Sequence, residues 1–259
     1  MGDFYEDSRV SVRICALFPD RMNLYGEGGN LKILCRRLEE MGCLCRVDCY
    51  EGEEPAPNWM DYDLLYLGSG TEEAQQAALQ LLFDQSEALA DYVESGRMFL
   101  VTGNGTELLG HSLTTRTGKV LSGLGLADFQ VEQTDRRLLG DVVGRYIGEE
   151  MPQIVGFINC CGTIKGRVET PFAELSFGKE WSNDGIRAAE GYQKKRLIAT
   201  RMIGPLLVRN PQFLEQIVFW LGEEKGVTPN EPDRKSAPWE AYRRSMAGLS
   251  ERMLMHNEK

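Results

Sequence analysis

Gly103-Asn104-Gly105 lies inside the stretch FLVTGNGTELLG (residues 99–110), where a hydrophobic run ends in a tight turn and a helical pattern starts at once. Strand, sharp turn and helix is how a nucleophile elbow is built, with the middle residue held up in a strained backbone conformation. Enzymes place Ser or Cys there, and this chain places Asn104, whose amide is not a nucleophile. A plain turn remains open as well, since Asn and Gly tolerate positive φ. A second glycine turn, Gly68-Ser69-Gly70, could cradle an anion with its backbone amides, but neither GxGxxG nor GxxxxGK[ST] follows it, so it does not argue for a nucleotide. Histidine is scarce: His111 reads as one turn into the helix after the elbow and His256 lies in the tail. Neither is placed to reach Asn104 from a separate loop, so no Ser/Cys-His constellation can be assembled.

Seven cysteines occur: Cys15, Cys35, Cys43, Cys45, Cys49, Cys160 and Cys161. The odd number, with no secretion signal, argues for free thiols. Cys43, Cys45 and Cys49 lack CxxC spacing and a nearby His, so a metal site is not expected. In CLCRVDCY they alternate instead with Arg46 and Asp48, which predicts one strand face carrying Cys43, Cys45, Val47 and Cys49 into the core.

These turns need a frame. Strands are predicted at Val10–Phe18, Cys43–Tyr50, Tyr62–Leu67 and Arg97–Thr102, and helices at Asn30–Met41 and Glu72–Glu94, the first with Leu31, Leu34, Cys35 and Leu38 on one stripe. Strands alternating with helices make a mostly parallel α/β sheet flanked by helices. Ligands in such sheets bind beyond the carboxyl ends of the strands. The loops Asp20–Gly29, Gly68–Gly70 and Gly103–Gly105 converge there. From Leu126 to Met202 the pattern turns to short alternating runs at Phe129–Thr134, Gly140–Ile147, Gln153–Asn159, Phe172–Phe177, Gly185–Tyr192 and Leu197–Met202, read as added, partly antiparallel strands. Helix returns at Pro211–Leu221. The expected organisation is a domain over residues 10–222, a polar, proline-bearing linker over 223–238 and an amphipathic helix over 239–256, striped by Trp239, Tyr242, Met246, Leu249 and Met253. That helix either folds back on the domain or docks on another protein.

With 259 residues and 42% hydrophobic content, the chain can bury a sizeable core. Its net charge of −10 and lack of a long basic run argue against nucleic acid as a partner. No run of about 18 apolar residues predicts a membrane span. The acidic start MGDFYEDSRV fails both the signal-peptide and the myristoylation patterns, so a cytoplasmic location is expected.

DRMNLYGEGGNLKILCRRLEEMG (20–42) resembles the loop after the first strand in GatD-type glutamine amidotransferase subunits of lipid II isoglutaminyl synthase, a family related to cobyric acid synthase amidotransferases. Asp20, Met22, Asn23, Leu24, Tyr25, Gly26, Gly29 and Asn30 match its D-x-M-N-L-Y-G-D-x-G-N, with Glu27 for the second Asp. Gly68-Ser69-Gly70-Thr71-Glu72-Glu73-Ala74-Gln75 resembles its GGGQDREQ. Arg137-Leu138-Leu139-Gly140-Asp141 resembles its Arg-x-x-Gly-Asp, whose arginine is implicated in substrate handling. Gly156-Phe157-Ile158-Asn159-Cys160 resembles its G-F-E-N-H, and Thr200-Arg201-Met202-Ile203-Gly204-Pro205-Leu206-Leu207 its T-Y-L-H-G-P-L-L, followed by Asn210-Pro211. The matches run in order from about residue 10 to 222.

The resemblance implies a flavodoxin-like class I glutamine amidotransferase domain without metal or cofactor. It puts Asn104 at the nucleophilic cysteine, Ile203 at the catalytic histidine, and Ile158 and Cys160 at the Glu and His of E-N-H. Substrate contacts are expected from Ser69, Gly70, Gly105, Arg137 and Asn159, with backbone amides near Ser69 and Gly105 surviving as oxyanion donors. Nucleophile and base are both replaced while the flanking glycines and Pro205 remain. This implies a silent subunit serving a Mur-ligase-like partner of the MurT type, with a pocket still able to bind glutamine or another small amide. Two alternatives stand beside it: a working amidase with Cys160 or Cys161 as a displaced nucleophile on a loop, and a small-molecule sensor using the vacant pocket.

Overall fold

The computed structural model describes residues 9–257, apart from 54, 149 and 167. Most of the acidic start and the side chain of His256 lie outside the described residues. The strands are β1 (Ser11–Leu17), β2 (Leu44–Tyr50), β3 (Leu64–Leu67), β4 (Met98–Thr102), β5 (Ser112–Thr114), β6 (Val120–Ser122), β7 (Gln130–Tyr146), β8 (Ile154–Lys165), β9 (Ala173–Phe177), β10 (Ala189–Glu190), β11 (Tyr192–Lys194), β12 (Leu197–Thr200) and β13 (Met202–Ile203). The helices are α1 (Gly28–Glu40), α2 (Glu72–Phe83), α3 (Ser86–Glu94), α4 (Leu206–Arg209), α5 (Pro211–Lys225) and α6 (Ala237–Asn257).

The first sheet has the order β11-β12-β4-β3-β1-β2. Every pairing in it is parallel except β11 with β12. Side chains alternate across β1. Val12, Ile14 and Ala16 join Leu31, Leu34, Leu38 and Ile217 on one face, while Cys15 and Leu17 join Leu79, Leu82 and Leu89 on the other. The 2-1-3-4 order of β2-β1-β3-β4 is the flavodoxin-type arrangement, with its crevice at the β1/β3 switch point. Residues from the loops after β1 and β3 meet there, as Asn23 bridges Ser69 and the Leu24 amide donates to the Ser69 carbonyl.

A second sheet has the order β10-β9-β7-β5-β6 with β8 on β7 and β13 on β8, and its Leu138, Val142, Ile154 and Ile158 share a core with α1 and α5. The two runs read separately at 129–134 and 140–147 are one strand, β7, whose register against β8 shifts between Gln133 and Leu138. Such a bulge re-aims side chains, and Arg137 sits on it.

Several expected elements are corrected. The single helix 72–94 is two, broken at Asp84 and Gln85, where the Ser86 hydroxyl donates to the Phe83 carbonyl and so offers a local alternative to the helical ladder. β2 is an edge strand, so Cys43 is buried and Cys45 half-buried, but Val47 and Cys49 face solvent. α5 continues to Lys225, three residues into the stretch read as linker, and α6 begins at Ala237. Tyr242 and Leu249 of α6 pack on Val143 and Val155, with Trp239, Met246 and Met253 alongside, and the Tyr242 hydroxyl donates to the Gln153 carbonyl at 2.6 Å. Arg252 pairs with Asp141 at 2.9 Å. The helix thus covers the outer face of the second sheet. No helix among the described residues is long and apolar enough to cross a membrane.

Candidate functional site

β4 is a fully buried run that stops at Thr102, and the chain then turns through a 3-10 segment, Gly103–Leu108, rather than the α-helix expected after the elbow. His111 follows that turn at the start of β5, exposed, with Nε2 3.1 Å from Asp128 Oδ1. The positive φ predicted for Asn104 falls instead on Gly103, at 60°, and Asn104 is not among the positive-φ residues. A strand-to-turn apex in the left-handed region is the defining feature of an elbow, so the apex is Gly103. A Cβ there would lie 2.4 Å from Ser69 Cβ and 2.9 Å from Ile203 Cγ2. The space for a nucleophile is filled from both sides.

Asn104 is turned the other way, into the Gly68–Gly70 loop. Its Oδ1 accepts from the Gly70 amide at 3.0 Å and the Ser69 hydroxyl at 3.1 Å, and its Nδ2 donates to the Gly70 carbonyl at 2.8 Å. The Gly70 amide, next to Ser69 where an oxyanion donor is expected, is therefore engaged by a side chain of the protein itself. Gly105 permits this approach, because a Cβ on it would lie 2.5 Å from the Gly68 carbonyl oxygen.

Outside Asn104 a cavity of about 150 Å³ is lined by Leu24, Tyr25, Gly70, Thr71, Glu72, Asn104, Glu107, Arg137, Asn159, Cys160 and Cys161. Gly70, Asn104, Arg137, Asn159 and Cys160, predicted from sequence, thus converge on one pocket, with Ser69 and Gly105 directly behind it. Ile203 is buried against Gly103 and does not line it. Arg137 donates to Asn159 Oδ1 at 2.8 Å and to Glu72 Oε1 at 2.7 Å. Cys160 and Cys161 lie on β8, not on a loop as expected, because the strand runs unbroken to Lys165. Burial pushes the Cys160 thiol up to about 11, against the opposing pull of Arg201, and burial followed by Glu107 pushes Cys161 up to about 12. Neither thiol is a ready nucleophile at neutral pH.

The sequence profile of the CobB/CobQ-like glutamine amidotransferase domain matches residues 13–211. The chain belongs to this family. It is 29% identical over 222 residues to the lipid II isoglutaminyl synthase (glutamine-hydrolyzing) subunit GatD of Staphylococcus aureus strain N315, covering 85% of this chain and 88% of that protein. To the subunit of the same name from Streptococcus pneumoniae strain ATCC BAA-255 / R6 it is 26% identical over 210 residues, covering 80% and 79%. A glutamine amidotransferase from Thermotoga maritima shares the fold, with TM-score 0.51, 15% identity and 95% and 97% coverage. So does the acivicin-bound glutaminase domain of Trypanosoma brucei CTPS, with TM-score 0.50, 11% identity and 88% and 98% coverage. The α/β architecture is that of class I glutamine amidotransferases.

Within this family fold, sequence reasoning missed a buried polar layer behind the pocket. Glu107 Oε2 accepts from Gln75 at 2.9 Å and Gln133 at 3.0 Å, while Oε1 is buried without a hydrogen-bond partner. Glu27 accepts from the Tyr66 hydroxyl at 3.1 Å and from Thr102. Arg201 is fully buried and donates to the carbonyls of Gly162 at 3.1 Å and Trp181 at 2.8 Å, with its backbone amide on Glu190. A charged residue embedded in GNGTELLG was the one available signal for Glu107.

Burial holds Glu27, Glu107 and Glu190 above the ordinary carboxylate value of 4.5. A carboxyl raised on folding contributes stability that is fully present below 4.5 and lost as pH rises through the folded value. Glu72 and Asp184 are shifted down, so their contribution is lost only as pH falls through their lowered values. The denaturation midpoint is therefore expected to rise as pH falls from the raised values of these carboxyls toward 4.5 and to fall again in stronger acid. Glu107→Gln should flatten the rising limb; an unchanged slope in that variant would remove Glu107 from the account.

Proposed function

We propose that this chain is a catalytically silent, glutamine amidotransferase-like subunit that binds a Mur-ligase-like protein of the MurT type in peptidoglycan stem-peptide amidation, in the cytoplasm. The observation that carries the silent half is Gly103 at the apex of the turn, with Ser69 and Ile203 filling the space a nucleophile needs. Hydrolysis of an amide through an acyl intermediate requires an activated nucleophile and a base. Asn104 does not supply the first, and Ile203 stands where the resembling family carries its histidine. The donor that would stabilise an oxyanion, the Gly70 amide, is bound to Asn104. Cys160 and Cys161, the nucleophiles of the alternative reading, have raised pKa values, and no histidine is among the described residues that line their pocket.

The partner half is supported by the relatives, which are named as subunits of lipid II isoglutaminyl synthase. It is tested by mixing the full chain with the Mur-ligase-like protein from the same source and separating by size. A stable joint peak is expected, and separate elution at micromolar concentrations contradicts this half.

A further inference from the structure

The Asn104 carboxamide makes with Gly70 the pair of contacts a substrate carboxamide could make there: its oxygen takes the Gly70 amide, and its NH2 gives to the Gly70 carbonyl. The inner end of the pocket is filled by the chain's own amide. What stays open, about 150 Å³, is smaller than the roughly 300–1,000 Å³ of sites for drug-sized ligands.

The walls of that remainder carry both signs of charge side by side. The Arg137 guanidinium lies 2.7 Å from the Glu72 carboxylate, and Asn159 presents its amide beside them. Glu107 lies behind this wall: it is 1% exposed, and its Oε1, closed to the pocket, packs on Gly162 of β8. A molecule that joins an ammonium and a carboxylate on one carbon matches the pattern. Its carboxylate meets Arg137 and the Asn159 amide, and its ammonium meets Glu72.

We propose that this pocket binds a small zwitterionic α-amino acid with a side chain shorter than that of glutamine, and that Asn104 is the specificity-determining stop. The inference rests on the reading of the site as non-hydrolytic. Glutamine has no room for its own carboxamide while Asn104 occupies Gly70. A neutral amide, lacking the two charges, gains nothing from Arg137 and Glu72.

The test is calorimetric titration of the full chain with glycine, L-alanine, D-alanine, L-glutamine and propionamide, with ammonia measured in the glutamine samples. Glycine or an alanine is expected to bind, with glutamine and propionamide at least tenfold weaker. Asn104→Ala frees the Gly70 amide and should improve glutamine tenfold or more relative to glycine. Arg137→Gln, a half-exposed position with little part in the core, should weaken every amino acid by about ten- to a hundredfold, as loss of a charge-assisted bond does, with melting unchanged. No binding of any short amino acid, or glutamine or propionamide binding as tightly as glycine, overturns this inference and leaves the silent reading intact if no ammonia appears. Ammonia release overturns both.

Discussion

Gly103→Cys alone is expected to destabilise the protein and to remain inert toward glutamine. The side chain would have to sit at φ 60° with its Cβ 2.4 Å from Ser69 Cβ and 2.9 Å from Ile203 Cγ2. A left-handed backbone for a residue with a Cβ and overpacking together cost about 2–5 kcal/mol. Asn104→Cys avoids the clash but puts a thiol where the side chain points at Gly70, away from the apex, and it too should be inert. Opening the space with Ser69→Gly and restoring a base with Ile203→His lets a cysteine at 103 work only where Asn104→Ala also frees the Gly70 amide. The quadruple variant is expected to release ammonia slowly, and the triple variant that keeps Asn104 to stay inert. Family-like turnover by Asn104→Cys alone would move the apex to Asn104 and contradict the assignment.

Truncation after Glu224 should lower the melting temperature by more than 10 °C. α6 covers Val143 and Val155 with Tyr242 and Leu249, and adds Trp239, Met246 and Met253 around them. Each buried apolar side chain of this size contributes about 1.5–3 kcal/mol, so uncovering the face removes on the order of 5 kcal/mol. In a domain of about 200 residues each 1 kcal/mol shifts melting by roughly 2–4 °C. The cut also removes Asn230, whose side chain and carbonyl accept from buried Arg37 at 2.7 and 2.8 Å. A truncated chain with unchanged melting would show that α6 is no part of the folded unit, and would return it to the docking role weighed from its sequence.

The parallel sheet was legible because its strands are short apolar runs punctuated by glycine, and because helix stripes such as Leu31, Leu34 and Leu38 repeat at the right period. The second sheet was legible in outline. β7 reads as two strands in sequence because its polar middle, Thr134 to Arg137, is a bulge, and a bulge interrupts alternation without ending the strand. The edge position of β2 was not legible at all, since alternation alone does not say whether both faces are covered.

The site was legible as a place and misread in its detail. The glycine loops named the pocket, and Arg137, Asn159 and Cys160 joined it through family resemblance. The one-residue slip from Asn104 to Gly103 arose because Asn and Gly both accept positive φ, and only the backbone distinguishes them. Glu107, Gln75 and Gln133 come from three separate elements, and no local pattern records that the fold brings them together.

Ammonia release from glutamine is the measurement that bears most directly on the central claim. Purified full-length chain is incubated with millimolar glutamine, alone and with the Mur-ligase-like partner, and ammonia is followed against an enzyme-free blank. With no side chain at Gly103 and no base at Ile203, both samples should match the blank. Release above the blank that scales with the concentration of the chain, and is lost on alkylation of Cys160 or Cys161, would contradict the silent reading and establish a displaced nucleophile.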